Sequence, residues 1–155
     1  SEKGVGTTFF FTIPHNQKES LYSTRTSKRN SIPDLRGKIC LIAEDDDINY
    51  QYLETILTKT TGIEVLRAVN GAEAVEICAK RNDISIVFMD IKMPVMDGFT
   101  AAGNIKRIRK SLPIIALTAY AMTGDKDKAL ISGCDDYIGK PAEMDRVLSL
   151  ISKYL

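Results

Sequence analysis

The chain has 155 residues, 44% of them hydrophobic, which is enough for one domain with a packed core and a tail. Its 21 basic and 20 acidic residues give a net charge of +1, without the strong basic stripe that nonspecific nucleic-acid binding needs. The longest apolar runs are far shorter than the roughly 20 residues of a bilayer span. We therefore expect this part of the chain to contact neither nucleic acid nor membrane.

The first 36 residues contain one weak strand signal and a polar segment. Residues 3–14 read Lys-Gly-Val-Gly-Thr-Thr-Phe-Phe-Phe-Thr-Ile-Pro, which predicts a glycine-containing turn and a β-strand that ends at proline. Residues 15–36 are rich in Ser, Thr and charge and show no sustained apolar period, which is typical of a linker. Residues 1–36 hold six basic and three acidic residues, which leaves 15 and 17 for residues 37–155. The small basic excess therefore lies in the tail.

From Lys38 onward, short apolar runs alternate with helical patterns. Five strands are predicted, at Ile39–Ala43, Ile63–Val69, Ile84–Met89, Ile114–Leu117 and Asp136–Ile138. Helical spacing relates three sets of residues: Ile48, Tyr52, Ile56 and Leu57; Ala72, Val75 and Ala79; and Met144, Val147, Leu148, Ile151 and Leu155. We expect each set to lay an apolar face on a sheet. The cysteines, Cys40, Cys78 and Cys134, lack metal-site spacing and fall in or beside apolar runs, so we expect reduced core residues.

Strands that are apolar almost throughout must be covered on both faces, and β-helix-β connections give parallel pairing. The pattern therefore predicts a flavodoxin-like α/β fold, a doubly wound five-stranded parallel sheet with helices on both faces. In such sheets the functional site lies at the carboxyl ends of the strands.

Charged and hydroxyl side chains follow four of the predicted strands. They are Glu44, Asp45, Asp46 and Asp47 after the first strand, Asp90 after the third, Thr118 after the fourth, and Lys140 with Pro141 after the fifth. Each has an ordinary structural explanation: the acids suit a solvated turn or a helix N-cap, Thr118 a loop cap, and Lys140 the surface. Together, however, they supply the parts needed to transfer a phosphoryl group to a carboxylate. Clustered carboxylates without His or Cys favour Mg²⁺, with Mn²⁺ as an alternative.

Four motifs make residues 37–155 resemble the receiver domains of two-component response regulators. They are Ala-Glu-Asp-Asp-x-x-Asn at 43–49, Met-Asp-x-x-Met-Pro-x-Met-Asp-Gly at 89–98, Leu-Thr-Ala at 117–119 and Asp-Tyr-x-x-Lys-Pro at 136–141. The resemblance implies a phosphorelay domain that takes a phosphoryl group from phosphohistidine onto Asp90 and then switches conformation. Such a domain promotes phosphoryl transfer to its own aspartate and the later hydrolysis.

The resemblance also implies a role for each matching residue. Asp45 would bind the metal together with Asp90, Glu44 would act through water, and Lys92 would offer its backbone carbonyl. Thr118 would bond a phosphoryl oxygen, Lys140 would pair with Asp90 and then with the phosphate, and Tyr137 would be the ring that changes rotamer. Lys92 and Tyr120 would flank the path of the hydrolytic water and so tune the phosphoryl lifetime. Glu44 stands where many relatives have Asp, and Pro94 and Gly98 would shape the loop, Gly98 by adopting a conformation that other residues resist.

Residues 1–14 resemble the last strand of a histidine-kinase ATP-binding domain, Gly-x-Gly-Thr-x-Phe followed by an apolar strand and Ile-Pro. This implies a remnant of that domain at 1–14, a linker at 15–36 and the receiver at 37–155 of a hybrid sensor kinase. The parent would be cytoplasmic or have its cytoplasmic end here. The single histidine, His15, lies in polar surroundings and is a poor phosphodonor. The donor or acceptor would be a histidine-kinase dimerisation domain or a His-containing phosphotransfer protein.

Three other functions compete with phosphoacceptance. A flavin or nucleotide binder of the same fold would need a glycine-rich phosphate loop after the first strand, where Glu44 and the acids after it would repel phosphate. A hydrolase with an Asp nucleophile would need a second acid two residues after Asp90, and Lys92 stands there. The remaining alternative is a degenerate receiver that acts only as a protein-interaction module.

Overall fold

The computed structural model describes residues 33–119 and 132–155. The described strands are β1 (Ile39–Ala43), β2 (Glu64–Ala68), β3 (Ile84–Asp90), β4 (Ile114–Thr118) and β5 (Asp136–Gly139). The described helices are α1 (Asp47–Thr61), α2 (Gly71–Lys80), α3 (Gly98–Ile108) and α4 (Met144–Tyr154). The predicted strand at 3–14 and Tyr120 lie outside the described residues.

The five strands form one parallel sheet in the order β2-β1-β3-β4-β5. Every residue of β1 and of β4 is buried, as expected for central strands that are covered on both faces. The predicted flavodoxin-like architecture is therefore confirmed, with strand bounds that shift by one residue at most. The chain reverses its direction of winding at β1, so β1 and β3 are neighbours.

The four described helices cover the two faces of the sheet, two on each face. On one face α2 and α3 bury Ala74, Cys78, Ala101 and Ile105 against the sheet. On the other face α1 and α4 bury Leu53, Leu57, Val147 and Ile151. The three cysteines are free and buried, and burial raises the pKa of Cys78 to about 11, so its thiol stays protonated at neutral pH.

Side-chain caps mark the beginnings of α1 and α3. Asp46 accepts a hydrogen bond from the backbone N–H of Asn49 (2.8 Å) at the start of α1, and Asp97 accepts one from Thr100 (2.9 Å) at the start of α3. A carboxylate at this position satisfies an N–H that has no partner inside the helix. Both caps thus start helices directly after the loops that follow β1 and β3.

The prediction of a buried apolar face on α1 is wrong for two of its four residues. Ile56 and Leu57 are buried, but Ile48 is 77% exposed and Tyr52 is 47% exposed. Leu53 takes the inward position instead, and Tyr52 lies one residue earlier, about 100° around the helix. Ala79, Met144 and Leu155 are likewise exposed rather than packed on the sheet.

Within the described ranges, no helix is both long enough and apolar enough to cross a membrane.

Candidate phosphoacceptor and metal site

The sheet brings the predicted site residues to one edge. Ala43 at the end of β1 pairs with Met89, so Glu44 and Asp90 follow a matched pair on neighbouring strands. Thr118 at the end of β4 pairs with Gly139, and Lys140 follows directly. Since all five strands are parallel, their carboxyl ends lie on the same side of the sheet.

Asp90 is the buried carboxylate at the centre of this edge. It is 5% exposed, and its two side-chain oxygens have different partners. The backbone N–H of Lys92 donates to Oδ1 (3.3 Å), and Nζ of Lys140 lies 3.0 Å from Oδ2. The side chain of Lys92 itself is exposed. Asp90 is therefore held by a loop amide on one side and an ammonium on the other.

Glu44 lies fully buried beside the same ammonium. Its Oε2 is 2.7 Å from Nζ of Lys140, and its Oε1 accepts a hydrogen bond from Nδ2 of Asn49 at 3.3 Å. The buried Oε2 is therefore paired with the ammonium of Lys140. Lys140 thus bridges two carboxylates from neighbouring strands.

The pKa values of both partners are raised, for different reasons. Burial raises the pKa of Glu44; Lys140 and Asn49 oppose that effect, and the nearby charge of Asp90 adds to it. Burial alone would lower the pKa of Lys140, but its contacts with Glu44 and Asp90 outweigh burial and raise it. Lys140 is therefore a cation at neutral pH, and the edge carries several acids with one ammonium among them.

The donor set suits a hard divalent cation. Glu44, Asp45 and Asp90 each offer a carboxylate oxygen, and these oxygens lie within 4.8 Å of one another. Asp45 is exposed to solvent, whereas the other two acids are buried. An all-oxygen set with an open side is the kind of site in which Mg²⁺ keeps several waters.

Thr118 ends β4, the strand next to that of Asp90, and Tyr137 lies on β5, one strand further along the sheet. Thr118 is 7% exposed, and its carbonyl accepts a hydrogen bond from the backbone N–H of Lys140 at 2.7 Å. Tyr137 is half-buried in β5 and packs against the core on the side of α2 and α3. The predicted residues Glu44, Asp45, Asp90, Lys92 and Lys140 are in one cluster, and Thr118 ends the adjacent strand.

Gly98 is required in the loop after Asp90 for a reason other than the predicted one. Its φ is not in the left-handed region, so backbone freedom is not what selects glycine here. A Cβ at this position would instead lie 2.1 Å from the carbonyl oxygen of Asp90. The N–H of Gly98 also donates to the carbonyl of Ile91 (3.0 Å), which draws α3 against the end of β3.

The same loop contains a strained residue, Val95. It has φ +67° and is 86% exposed. The N–H of Met96 donates to the carbonyl of Pro94 at 2.7 Å, so Val95 is the centre of a γ-turn. A positive φ is costly for a β-branched residue, so the loop holds Val95 in an unfavourable conformation.

A groove of about 280 Å³ adjoins the acidic cluster. It runs between the first turns of α1 and the loop after β5, and Glu44 and Lys140 form its end near Asp90. The exposed side chains of Ile48 and Tyr52 line its outer part. These two residues, expected in the core, therefore lie on the surface beside the site.

The sequence reasoning missed two residues in this region. Asn49 belongs to the first motif but was given no role, and it donates to Glu44. Arg67 contacts the loop that carries Glu44 and Asp45. The only signal for Arg67 was a second charged residue, besides Glu64, in a short strand, which does not indicate where the side chain points.

Comparisons with known proteins identify the family to which the chain belongs. The family model for the response regulator receiver domain matches residues 40–152. Hybrid signal transduction histidine kinase G of Dictyostelium discoideum is 41% identical over 119 residues, 74% of this chain, and the chain spans 3% of that relative's length.

Two solved structures resemble the chain over most of its length. The receiver domain of Ssk1 from Saccharomyces cerevisiae, crystallised with the histidine phosphotransfer protein Ypd1, has a TM-score of 0.71 at 35% identity and covers 77% of this chain and 90% of that one. The receiver domain of sensor histidine kinase PA1611 from Pseudomonas aeruginosa, with magnesium in its active-site cleft, has a TM-score of 0.70 at 30% identity, covering 76% and 97%. The chain belongs to the response regulator receiver family.

Proposed function

We propose that this receiver domain accepts a phosphoryl group from phosphohistidine onto Asp90 in a Mg²⁺-dependent reaction and then switches conformation to pass on a signal. The observation that carries the proposal is the environment of Asp90. Its carboxylate lies between the Lys92 N–H and the Lys140 ammonium, and two further acids lie within reach of a shared cation. This combines a nucleophile with the positive charge that its reaction needs.

In this mechanism an Asp90 oxygen forms a bond to phosphorus while the bond from phosphorus to the histidine nitrogen breaks. The imidazole leaves with the electron pair of that bond. Lys140 already lies 3.0 Å from Asp90 and neutralises charge on the phosphoryl oxygens as the acyl phosphate forms. The Lys92 N–H orients the carboxylate for attack.

The metal would be held by Asp45 and Asp90, by Glu44 through water and by the carbonyl of Lys92. When bound, Mg²⁺ would offset the negative charge that gathers where phosphoryl and carboxylate oxygens meet. Thr118 would bond a phosphoryl oxygen, and Tyr137 would change rotamer in response. Lys92 and Tyr120 would tune the lifetime of the acyl phosphate.

The proposed partner is a protein that carries phosphohistidine, either a histidine-kinase dimerisation domain or a His-containing phosphotransfer protein. The Ssk1 receiver was crystallised with such a protein. In this chain the groove with Ile48 and Tyr52 leads to Glu44 and Lys140, so a partner seated there would have its histidine near Asp90. Exposed apolar side chains beside a functional site are a common mark of protein contact.

We further propose the domain organisation implied by the sequence. Residues 1–14 would be the end of a histidine-kinase ATP-binding domain, 15–36 a linker and 37–155 the receiver of a hybrid kinase that is cytoplasmic or has its cytoplasmic end here. The similarity to a hybrid kinase of Dictyostelium discoideum, which spans 119 residues, supports a receiver of such a kinase.

The test combines Mg²⁺ titration by calorimetry with labelling by a small phosphodonor such as phosphoramidate. We expect the wild type to bind Mg²⁺ and to be labelled only when Mg²⁺ is present, and we expect Asp90→Asn to fold but remain unlabelled. Asp45→Asn should weaken Mg²⁺ binding severely, because it removes one of few charged ligands.

Asp46→Asn is the matched control for Asp45→Asn. It removes a charge from the same acidic run, but Asp46 is outside the three-carboxylate group, and Asn retains the helix cap. A folded wild type that binds no Mg²⁺ and takes no label would instead favour the alternative, a degenerate receiver that acts only as an interaction module.

A further inference from the structure

Arg67 reaches from β2 to the loop that carries the proposed metal ligands. Its Nε and Nη2 both donate to the backbone carbonyl of Glu44 at 3.3 Å, and Nη2 also donates to the carbonyl of Asp45 at 3.3 Å. The side chain is 25% exposed, so these bonds are partly shielded from water. One guanidinium therefore restrains the backbone of Glu44 and Asp45, the two proposed metal-site acids after β1.

The same guanidinium also holds the start of α1. Nη1 lies 2.7 Å from Oδ1 of Asp47, and the guanidinium carbon lies 4.5 Å from the centre of the Tyr50 ring. Asp47 is 77% exposed, so this ion pair by itself contributes little. The guanidinium of Arg67 is planar and packs on the Tyr50 ring, so it can hold two backbone carbonyls and the Asp47 carboxylate at the same time.

We propose that Arg67 is a positioning residue for the metal site: by its carbonyl bonds it sets the backbone from which the Glu44 and Asp45 side chains reach the cation. This inference rests on the proposed function. Metal ligands need a supporting shell, because each must hold its place to about 0.5 Å. Arg67 touches no carboxylate of the proposed ligand set and acts through the main chain.

Charge and positioning predict opposite effects of removing Arg67. A cation near the site repels Mg²⁺, so loss of its charge alone would tighten Mg²⁺ binding. Loss of the restraint on the loop would weaken binding, because four consecutive acids would be free to move apart. The sign of the change in Mg²⁺ affinity therefore decides between the two effects.

The experiment is Mg²⁺ titration by calorimetry of the wild type, Arg67→Met and Arg67→Lys. We expect the dissociation constant to rise on the order of tenfold in Arg67→Met, the range found when outer-shell partners are removed. Arg67→Lys keeps the charge but loses the fork, so it should show a smaller rise. The limiting rate of phosphoramidate labelling at saturating Mg²⁺ should change by less than about twofold, since Asp90 and Lys140 are intact.

Arg109 is a matched control, because it also donates to three backbone carbonyls, those of Arg81 (2.9 Å), Asn82 (3.1 Å) and Ile84 (2.8 Å). These lie at the amino end of β3, away from Asp90. Arg109→Met should lower the thermal unfolding temperature without Mg²⁺ but leave Mg²⁺ affinity unchanged.

Unchanged or tighter Mg²⁺ binding in both Arg67 variants would overturn the inference, as would an equal loss of affinity in Arg109→Met. If Arg67→Met does not fold, the measurement on Arg67→Lys decides. A wild type that binds no Mg²⁺ would remove the proposed function and the inference together, whereas binding by the wild type and by the Arg67 variants alike would remove only the inference.

Discussion

Replacement of Gly98 by alanine should destabilise the domain by displacing α3 from the end of β3. The added Cβ would lie 2.1 Å from the carbonyl oxygen of Asp90 and 2.9 Å from its carbonyl carbon. Contact between such atoms requires more than about 3 Å, so the backbone must shift by about 1 Å. The atoms that the added Cβ would meet all belong to the backbone of Asp90 and Ile91, so no flexible side chain can turn away to relieve the clash.

The magnitude follows from the packing that the shift disturbs. Overpacking a rigid site costs typically 1–3 kcal/mol, and α3 buries Ala101, Ala102 and Ile105 against the sheet. We therefore expect Gly98→Ala to lower the free energy of unfolding by about 3 kcal/mol, a large part of the total for a domain of this size.

Gly103 on the same helix provides the matched control. Among the described residues, a Cβ there would meet only the carbonyl oxygen of Ser132, at 3.5 Å, which is an ordinary contact. Because glycine within a helix is less favourable than alanine, Gly103→Ala should raise the free energy of unfolding by about 0.5–1 kcal/mol.

The assay is urea unfolding followed by circular dichroism. The free energy of unfolding, taken from the midpoint and slope of the transition, is compared among the wild type, Gly98→Ala and Gly103→Ala. The free energy of unfolding should fall in Gly98→Ala and rise in Gly103→Ala. Equal stability of Gly98→Ala and the wild type would show that the close approach to Asp90 is not a constraint.

Three other predictions concern the surroundings of the site. Val95→Asn should raise the free energy of unfolding by about 1 kcal/mol in the same urea assay, because Asn tolerates the positive φ that strains valine. Ile48→Glu should slow transfer from a phosphohistidine protein severalfold without affecting labelling by phosphoramidate, and Ile108→Glu, also at an exposed apolar position, should change neither rate. Lys92→Asn should shorten the phosphoryl lifetime at saturating Mg²⁺ severalfold, because a carboxamide can orient the attacking water; an unchanged lifetime would remove Lys92 from that role.

The fold was predictable because its pattern is redundant. The runs at Ile39–Ala43 and Ile114–Leu117 are wholly apolar and wholly buried, as central parallel strands must be. The clustering of Glu44, Asp45 and Asp90 follows from the same topology, since the carboxyl ends of parallel strands meet at one edge. Residues that are far apart in the sequence therefore come together when each follows the carboxyl end of a strand.

What the sequence did not predict depends on directions and distances in three dimensions. Ile48 and Tyr52 are apolar at helical spacing, but they lie to one side of the stripe that Leu53 and Leu57 bury. Gly98 was expected to shape its loop through backbone freedom, but the cause is its close packing on Asp90, where an added Cβ would lie 2.1 Å from the carbonyl oxygen, and no local pattern encodes that packing. The contacts of Arg67 join β2 to the β1 loop over 22 and 23 residues of sequence, and a single charged residue in a strand does not indicate its partner.

The most direct test of the account is to map the phosphoryl group after transfer from a phosphohistidine donor. Reduction with borohydride converts a phosphorylated aspartate into homoserine, which mass spectrometry locates in the peptide. The account predicts an acid-labile label in the wild type and homoserine at position 90, and neither in Asp90→Asn. An acid-stable label, or a phosphoryl group on any residue other than Asp90, would contradict it.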